Sequence, residues 1–149
     1  MSGVPQDPYQ LERFLSAQRG TYEVALDELR HGAKRSHWIW FIFPQVAGLG
    51  SSPMSARYAI KSPQEAKAYL AHPILGSRLI ECANALLQIP DKTAEQIMGH
   101  PDDLKLRSSM TLFAAISPPD SPFRAVIDRY FSGMTDFRTI EYLAAHGSE

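Results

Sequence analysis

Two groups of polar residues in this 149-residue chain have the side-chain types needed to bind an anion. The first group lies on a predicted helix, where Lys105, Arg107 and Ser108 follow one another closely. The forked donors of arginine suit a phosphate or a carboxylate. The second group is a short glycine- and serine-rich loop, where Gly50 and Ser51 offer free backbone amides beside a predicted helix start. Together these residues predict a site for a small anionic ligand.

The stretch from His37 to Gln45 is the most apolar part of the chain and contains both tryptophans, Trp38 and Trp40. So much aromatic surface must be buried, because exposing it to water is unfavourable. A rigid aromatic wall beside an amide-rich loop is also typical of a small-molecule pocket. We therefore predict that a planar group stacks on Trp38, Trp40 or Tyr58, with Gln45 as a polar neighbour. The alternative is a core segment followed by an ordinary turn.

His37 is the predicted catalytic residue if the protein is an enzyme, because histidine titrates near neutrality and this one borders the aromatic run. A structural histidine is the alternative. His72 and His100 each precede a proline at a predicted helix start, where capping is the commoner role. No pair of histidines has metal-ligand spacing, and the single cysteine, Cys82, fits the apolar face of a helix. We expect neither a metal nor a cofactor.

Proline placement predicts where the helices that carry these residues begin. A serine or aspartate followed by proline is typical of a helix start, because the side chain caps free amides and proline fits the first turn. Gly32 and Gly133 lie where helices would end. Helices are expected near residues 8–18, 21–31, 53–59, 62–71, 73–89, 93–98, 101–116, 122–132 and 136–145.

The helix predicted over residues 101–116 should lie at the centre of the fold, because apolar or small side chains cover nearly every side of it. Charges in its first half must then be paired, reach water or line a cavity. Asp103 and Arg107 have the spacing of a helical ion pair. The alternative is that Lys105, Arg107 and the nearby hydroxyls face a pocket.

No stretch shows the sustained alternation of a strand. Residues 37–43 are too uniformly apolar for periodicity to distinguish a short helix from a buried strand. The fold class predicted from these patterns is all-α, a compact multihelical single domain over residues 1–149. We expect its ordered core to cover about residues 7–145.

Composition argues against several functional classes. The formal net charge is −1, from 15 basic and 16 acidic residues, and there is no basic tract. We therefore expect no nucleic-acid partner. The longest apolar stretch, residues 38–43, is too short to span a bilayer, and the N-terminus lacks the pattern of a secretory signal. These features predict no membrane association and a cytoplasmic location, and they leave the oligomeric state open.

Five segments spread over roughly residues 7–145 are specific in combination: residues 37–45, 48–51, 58–60, 69–76 and 103–113. Together they resemble a family of small bacterial proteins of unknown function, whose members sometimes carry the automated label calpastatin. The resemblance implies a mainly α-helical single domain and no established activity. A calpastatin-like protease inhibitor is rejected, because those inhibitors are disordered repeats and this composition is globular.

Two functional classes remain open from the sequence. In the first, the protein binds a small anionic or nucleotide-like ligand, such as an ADP-ribose-like metabolite, between residues 37–52 and the helix of residues 101–111. Such a protein is either a binding protein or a hydrolase. In the second, it is a non-catalytic helical module that binds another protein through an exposed apolar patch. A cavity between the two segments favours the first class, and a solid core with an exposed apolar face favours the second.

Overall fold

Ten α-helices lie in residues 6–147, which are the residues that the computed structural model describes. Residues 1–5 and 148–149 of the predicted domain lie outside the described part of the chain. The helices are α1 (Glu12–Gln18), α2 (Tyr22–Arg30), α3 (Ile39–Ile42), α4 (Pro53–Arg57), α5 (Pro63–Ala71), α6 (Leu75–Leu87), α7 (Ala94–Met98), α8 (Asp102–Ala115), α9 (Pro122–Tyr130) and α10 (Phe137–His146).

Local capping contacts explain why most helices begin where the sequence predicts. Ser52, Ser62 and Ser121 each accept a hydrogen bond from the backbone N–H three residues later. Thr93 and Gln96 form a reciprocal capping box at the start of α7. Each contact satisfies an amide that the first helical turn leaves free. All nine predicted helices are present, and the prediction of an all-α fold is confirmed.

The largest difference lies at α1, which begins at Glu12 rather than near residue 8. Gln10 has a positive φ of 56°, which interrupts the helical path. The Asp7 carboxylate accepts hydrogen bonds from the amides of Leu11 and Glu12, at 2.7 and 3.0 Å. Asp7 therefore caps the amides at the start of α1, although a turn separates Asp7 from the first residue of the helix.

The ambiguous aromatic segment folds as a single helical turn, α3, followed by extended chain. Within residues 6–147, β-pairing is limited to one parallel bridge between Val46 and Ile60. The amide of Ala47 donates to the Ile60 carbonyl at 3.0 Å, and the Ile60 amide donates to the Gln45 carbonyl at 2.8 Å. This bridge holds the loop after α3 beside the chain that leaves α4.

Helix α8 is the centre of the domain, as its apolar pattern predicts. It packs against α3, α5, α7, α9 and α10. Its side chains Leu106, Met110 and Phe113 are completely buried. The other helices cover it from Ser108 to Phe113, whereas its first turns and its last residue, Ala115, reach the surface. None of the helices within residues 6–147 is both long enough and apolar enough to cross a bilayer.

Candidate functional site

A cavity of about 440 Å³ opens between the loop after α3, the first half of α8 and the start of α10. We call it the α8 cavity. Five residues predicted from the sequence line it: Gln45, Gly50, Lys105, Arg107 and Ser108. Its volume lies in the range of small-molecule sites. The fold therefore brings together the glycine loop and the charged helix that the sequence singles out.

The predicted aromatic residues lie outside this cavity. Trp38 is completely buried, and its Nε1 donates to Glu28 Oε1 at 2.8 Å, so its ring has no face open to a ligand. Tyr58 is also buried, at 7% exposure. Trp40 is partly exposed, but the space that it shares with Tyr58 is only about 10 Å³. That volume is about the size of one water molecule and excludes a planar ligand.

His37 and Ser51 are both exposed, and neither lines the α8 cavity. His37, the predicted acid–base residue, is therefore separated from the predicted ligand-binding residues that line the cavity. The ionisable acid that does border the cavity is Asp136. His37 is exposed because α3 begins two residues later and buries the aromatic side chains instead.

The charge of Lys105 is only partly neutralised by its neighbours. Its Nζ lies 3.3 Å from one oxygen of Asp102, whose other oxygen lies 2.8 Å from Lys34 Nζ. The Lys34 side chain is only 5% exposed. The buried ammonium is both closer and less solvated, so it interacts more strongly with the shared carboxylate. Lys105 consequently retains positive charge at the cavity.

Arg107 does not form the predicted ion pair with Asp103. Its Nε donates to the Met134 carbonyl at 2.9 Å, and its Nη2 donates to the Thr135 carbonyl at 2.8 Å. Asp103 instead lies 3.0 Å from His100 Nδ1. The turn before α10 lies beside Arg107 and offers fixed carbonyl acceptors. The spacing of residues within the helix does not reveal this contact. These neutral acceptors orient the guanidinium without cancelling its charge.

Three polar lining residues were not predicted as site residues: Ser55, Asp136 and Arg138. Asp136 Oδ2 accepts hydrogen bonds from Ser108 Oγ at 3.2 Å and from the Thr139 amide at 3.1 Å. Arg138 Nη2 donates to the Gly48 carbonyl at 3.0 Å. The sequence signals that Asp136 caps a helix. No local pattern signals that this helix start meets a loop about ninety residues earlier.

Gly50 lets the loop backbone come close to Ser55. A Cβ at this position would lie 2.5 Å from Ser55 Oγ, closer than real contacts allow. Ser55 is held in place because its amide donates to Ser52 Oγ at 3.1 Å. The glycine therefore shapes this wall of the cavity.

The α8 cavity carries excess positive charge. Its described lining contains three cationic side chains, Lys105, Arg107 and Arg138, and one carboxylate, Asp136. That carboxylate already accepts hydrogen bonds from Ser108 and α10. Clefts lined mainly by one sign of charge concentrate ligands of the opposite sign. Within residues 6–147, no three histidine, cysteine, aspartate or glutamate side chains are grouped so that they could hold a metal ion.

A larger surface cavity, of about 710 Å³, lies between α2 and α6 and contains none of the predicted residues. Glu81 at its edge lies 3.5 Å from Arg30 and accepts a hydrogen bond from the Tyr22 hydroxyl. Burial and this hydrogen bond raise the pKa of Tyr22, so the phenol remains protonated as the donor. We take the α8 cavity as the candidate site, because five of the predicted residues line it and none lines this larger cavity.

Comparisons with known proteins agree with the observed fold and assign no activity to it. No curated protein matches the chain. The structure is similar to the crystal structure of a conserved hypothetical protein from Mycobacterium tuberculosis, with a TM-score of 0.91 and 50% sequence identity. The match covers 93% of this chain and 99% of that chain. A family model matches residues 8–143, so the expected resemblance is confirmed. The chain belongs to the family described as "Protein of unknown function (DUF1810)".

Proposed function

We propose that this protein binds a small anionic ligand, carrying a phosphate or carboxylate group, in the α8 cavity. The observation that carries the proposal is the charge of the lining, where Lys105, Arg107 and Arg138 face one carboxylate that is already hydrogen-bonded. The backbone carbonyls that accept hydrogen bonds from these guanidinium groups are neutral, so they do not cancel the positive charge. An anion in the cavity would pair with that charge. Ser55 would supply a hydroxyl donor beside it.

The geometry supports binding better than hydrolysis. A general base must come within hydrogen-bond reach of its proton or of a water molecule. His37 does not line the cavity, and Asp136 Oδ2 is engaged by Ser108 and Thr139. These contacts support the ligand-binding half of the sequence hypothesis and supply no argument for the hydrolase half.

A second candidate function, protein docking, is favoured by exposed apolar residues near the same helices. Leu104, Met134 and Phe137 are 49%, 62% and 71% exposed. Large exposed apolar side chains grouped together are typical of interaction surfaces. This class predicts that small anions do not bind, so one experiment distinguishes the two.

The test is isothermal titration of the purified protein with inorganic pyrophosphate and, separately, with succinate at low ionic strength. We expect saturable binding of at least one of them to the wild type. Arg107→Gln should weaken that binding by about tenfold or more, because hydrogen bonds to charged groups contribute about 1.5 to 3 kcal/mol. Arginine provides the forked donors, which glutamine lacks.

Arg129→Gln is the matched control. Arg129 also donates to two backbone carbonyls, those of Leu87 and Ile89, but it lies outside the α8 cavity. Its variant should therefore bind the anion like the wild type. Absence of binding to both anions, or unchanged affinity in Arg107→Gln, would overturn the proposal and favour the docking alternative.

A further inference from the structure

The α8 cavity borders a second cavity on the other side of Arg138. This outer cavity has a volume of about 380 Å³ and lies between the loop of residues 47–49 and the second half of α10. Leu49 and Arg138 line both cavities. Because Arg138 Nη2 is hydrogen-bonded to the Gly48 carbonyl, the side chain is fixed at this boundary. A single ligand that reaches both spaces would lie over this side chain and contact it.

The outer cavity is lined by a stacked pair of aromatic rings, Tyr142 and His146. Their ring centroids lie 3.9 Å apart, with an interplanar angle of 13°. The Tyr142 hydroxyl donates to the Lys61 carbonyl at 2.9 Å, and His146 Nδ1 lies 2.9 Å from the Tyr142 carbonyl. These contacts hold both rings in position. Fixed aromatic rings are a common surface for stacking a nucleobase.

The charges of the two cavities differ. The inner α8 cavity combines Lys105, Arg107 and Arg138 with the engaged Asp136. Among residues 6–147, the outer cavity adds no lysine or arginine beyond Arg138, and it contains the carboxylate of Glu141. A second anionic group is therefore disfavoured there. A carboxylate in this position suits the hydroxyl groups of a ribose, which acidic residues bind in nucleotide sites.

Among the residues that the structure describes, no aromatic side chain lines the α8 cavity. The space beside Trp40 and Tyr58 is only about 10 Å³. A ligand whose anion lies near Arg107 therefore meets the stacked aromatic pair only if it extends outward, over Arg138.

We propose that the ligand is a nucleoside phosphate, with its phosphate groups in the α8 cavity, its ribose near Glu141 and its base beside Tyr142 and His146. This inference rests on the proposed function, since it specifies the chemical class of the anion. The observation that carries it is that Leu49 and Arg138 line both cavities, so that the cationic cavity and the aromatic pair adjoin. The outer cavity supplies the aromatic contact that the sequence predicts at Trp38 and Tyr58, two residues that the fold buries.

The experiment compares the affinities of ADP and inorganic pyrophosphate by isothermal titration. In the wild type, ADP should bind about tenfold or more tightly than pyrophosphate, because base stacking on an aromatic side chain is worth about 1.4 kcal/mol or more. Tyr142→Leu should remove most of this advantage and leave the affinity for pyrophosphate unchanged. The leucine preserves apolar packing but offers no ring for the base.

Tyr130→Leu is the matched control, because Tyr130 is also partly buried and also donates to a backbone carbonyl, that of Leu86. It should keep the preference for ADP. His146→Ala, near the exposed end of α10, provides a second variant should Tyr142→Leu fail to fold. It should reduce the preference for ADP in the same direction.

The outcomes separate this inference from the proposed function. Equal affinities of the wild type for ADP and pyrophosphate would overturn the nucleotide inference and leave anion binding intact. An ADP preference that survives both Tyr142→Leu and His146→Ala would place the base elsewhere and would also overturn it. Failure of both compounds to bind would overturn the inference together with the proposed function.

Discussion

At the scale of single residues, Glu28 fixes the segment that leads into α3. Its Oε1 accepts hydrogen bonds from the amides of Arg35 and Ser36, at 2.8 and 3.0 Å, and from Trp38 Nε1 at 2.8 Å. Its Oε2 accepts one from Ser36 Oγ at 2.5 Å. Partial burial opposes ionisation of this carboxyl, but the hydrogen bonds outweigh it and lower the pKa of Glu28 to about 2.

This lowered pKa makes part of the folding stability depend on pH. Glu28 has an ordinary pKa of 4.5, so its contribution is complete above that value and is lost as the pH falls toward 2. Glu28→Gln should lower the free energy of unfolding at pH 7 by on the order of 1 to 2 kcal/mol, allowing for solvent screening. The difference from wild type should shrink between pH 4.5 and 3, measured by urea unfolding.

Glu23→Gln is the control for this experiment, since Glu23 lies exposed in the first turn of the same helix. Its unfolding free energy should follow that of the wild type across the pH range. A constant difference between Glu28→Gln and wild type at every pH would show that the hydrogen bonds do not require the ionised carboxylate.

At the scale of helices, the contact between α5 and α6 depends on the absence of a side chain at Gly76. A Cβ there would lie 1.9 Å from the Leu70 carbonyl oxygen, far inside any real contact. The obstacle is backbone at the end of a helix rather than a flexible side chain. The two helices must therefore separate to admit even a methyl group, although alanine is the better helix former.

Gly76→Ala should accordingly destabilise the protein by about 3 kcal/mol or more, at the upper end of overpacking effects. Urea or thermal unfolding measures the change. Ser77→Ala, at the next and exposed position of α6, should alter stability by less than about 0.5 kcal/mol. A similar, small effect of both substitutions would mean that α5 and α6 separate at little cost.

At the scale of the whole molecule, the α8 cavity couples ligand binding to folding, because its walls come from the loop after α3, from α4, from α8 and from α10. The unfolded chain does not assemble these walls. An anion that binds only the native state must raise the melting temperature, by an amount that grows with its concentration relative to its dissociation constant.

We expect pyrophosphate to raise the melting temperature at about 0.05 M ionic strength and to raise it less at about 0.5 M, because added salt screens the attraction between charges. Differential scanning fluorimetry measures both shifts, and melting without ligand at each salt concentration is the baseline. A stabilisation that does not depend on salt would contradict an electrostatic site formed by Lys105, Arg107 and Arg138.

Nine of the ten helices within residues 6–147 could be predicted from local sequence patterns, and α3 could not. Caps such as Ser62 and Thr93 act on amides three residues away, so their effect is readable from neighbouring positions. The apolar surface of α8 likewise predicts its central place without knowledge of its neighbours. The sequence also identified the cations Lys105 and Arg107, because charges on a central helix must be paired, reach water or line a cavity.

Only the tertiary structure decided which side chains meet at the site. Trp38 turns into the core, where Glu28 binds its indole N–H, and Arg107 contacts carbonyls of the chain before α10 instead of Asp103. Arg138 joins the loop at Gly48 across 90 positions of sequence. Such contacts depend on how whole helices pack around α8, and no pattern within a few residues encodes them. The local sequence therefore fixes the helices, whereas packing fixes the cavity that they enclose.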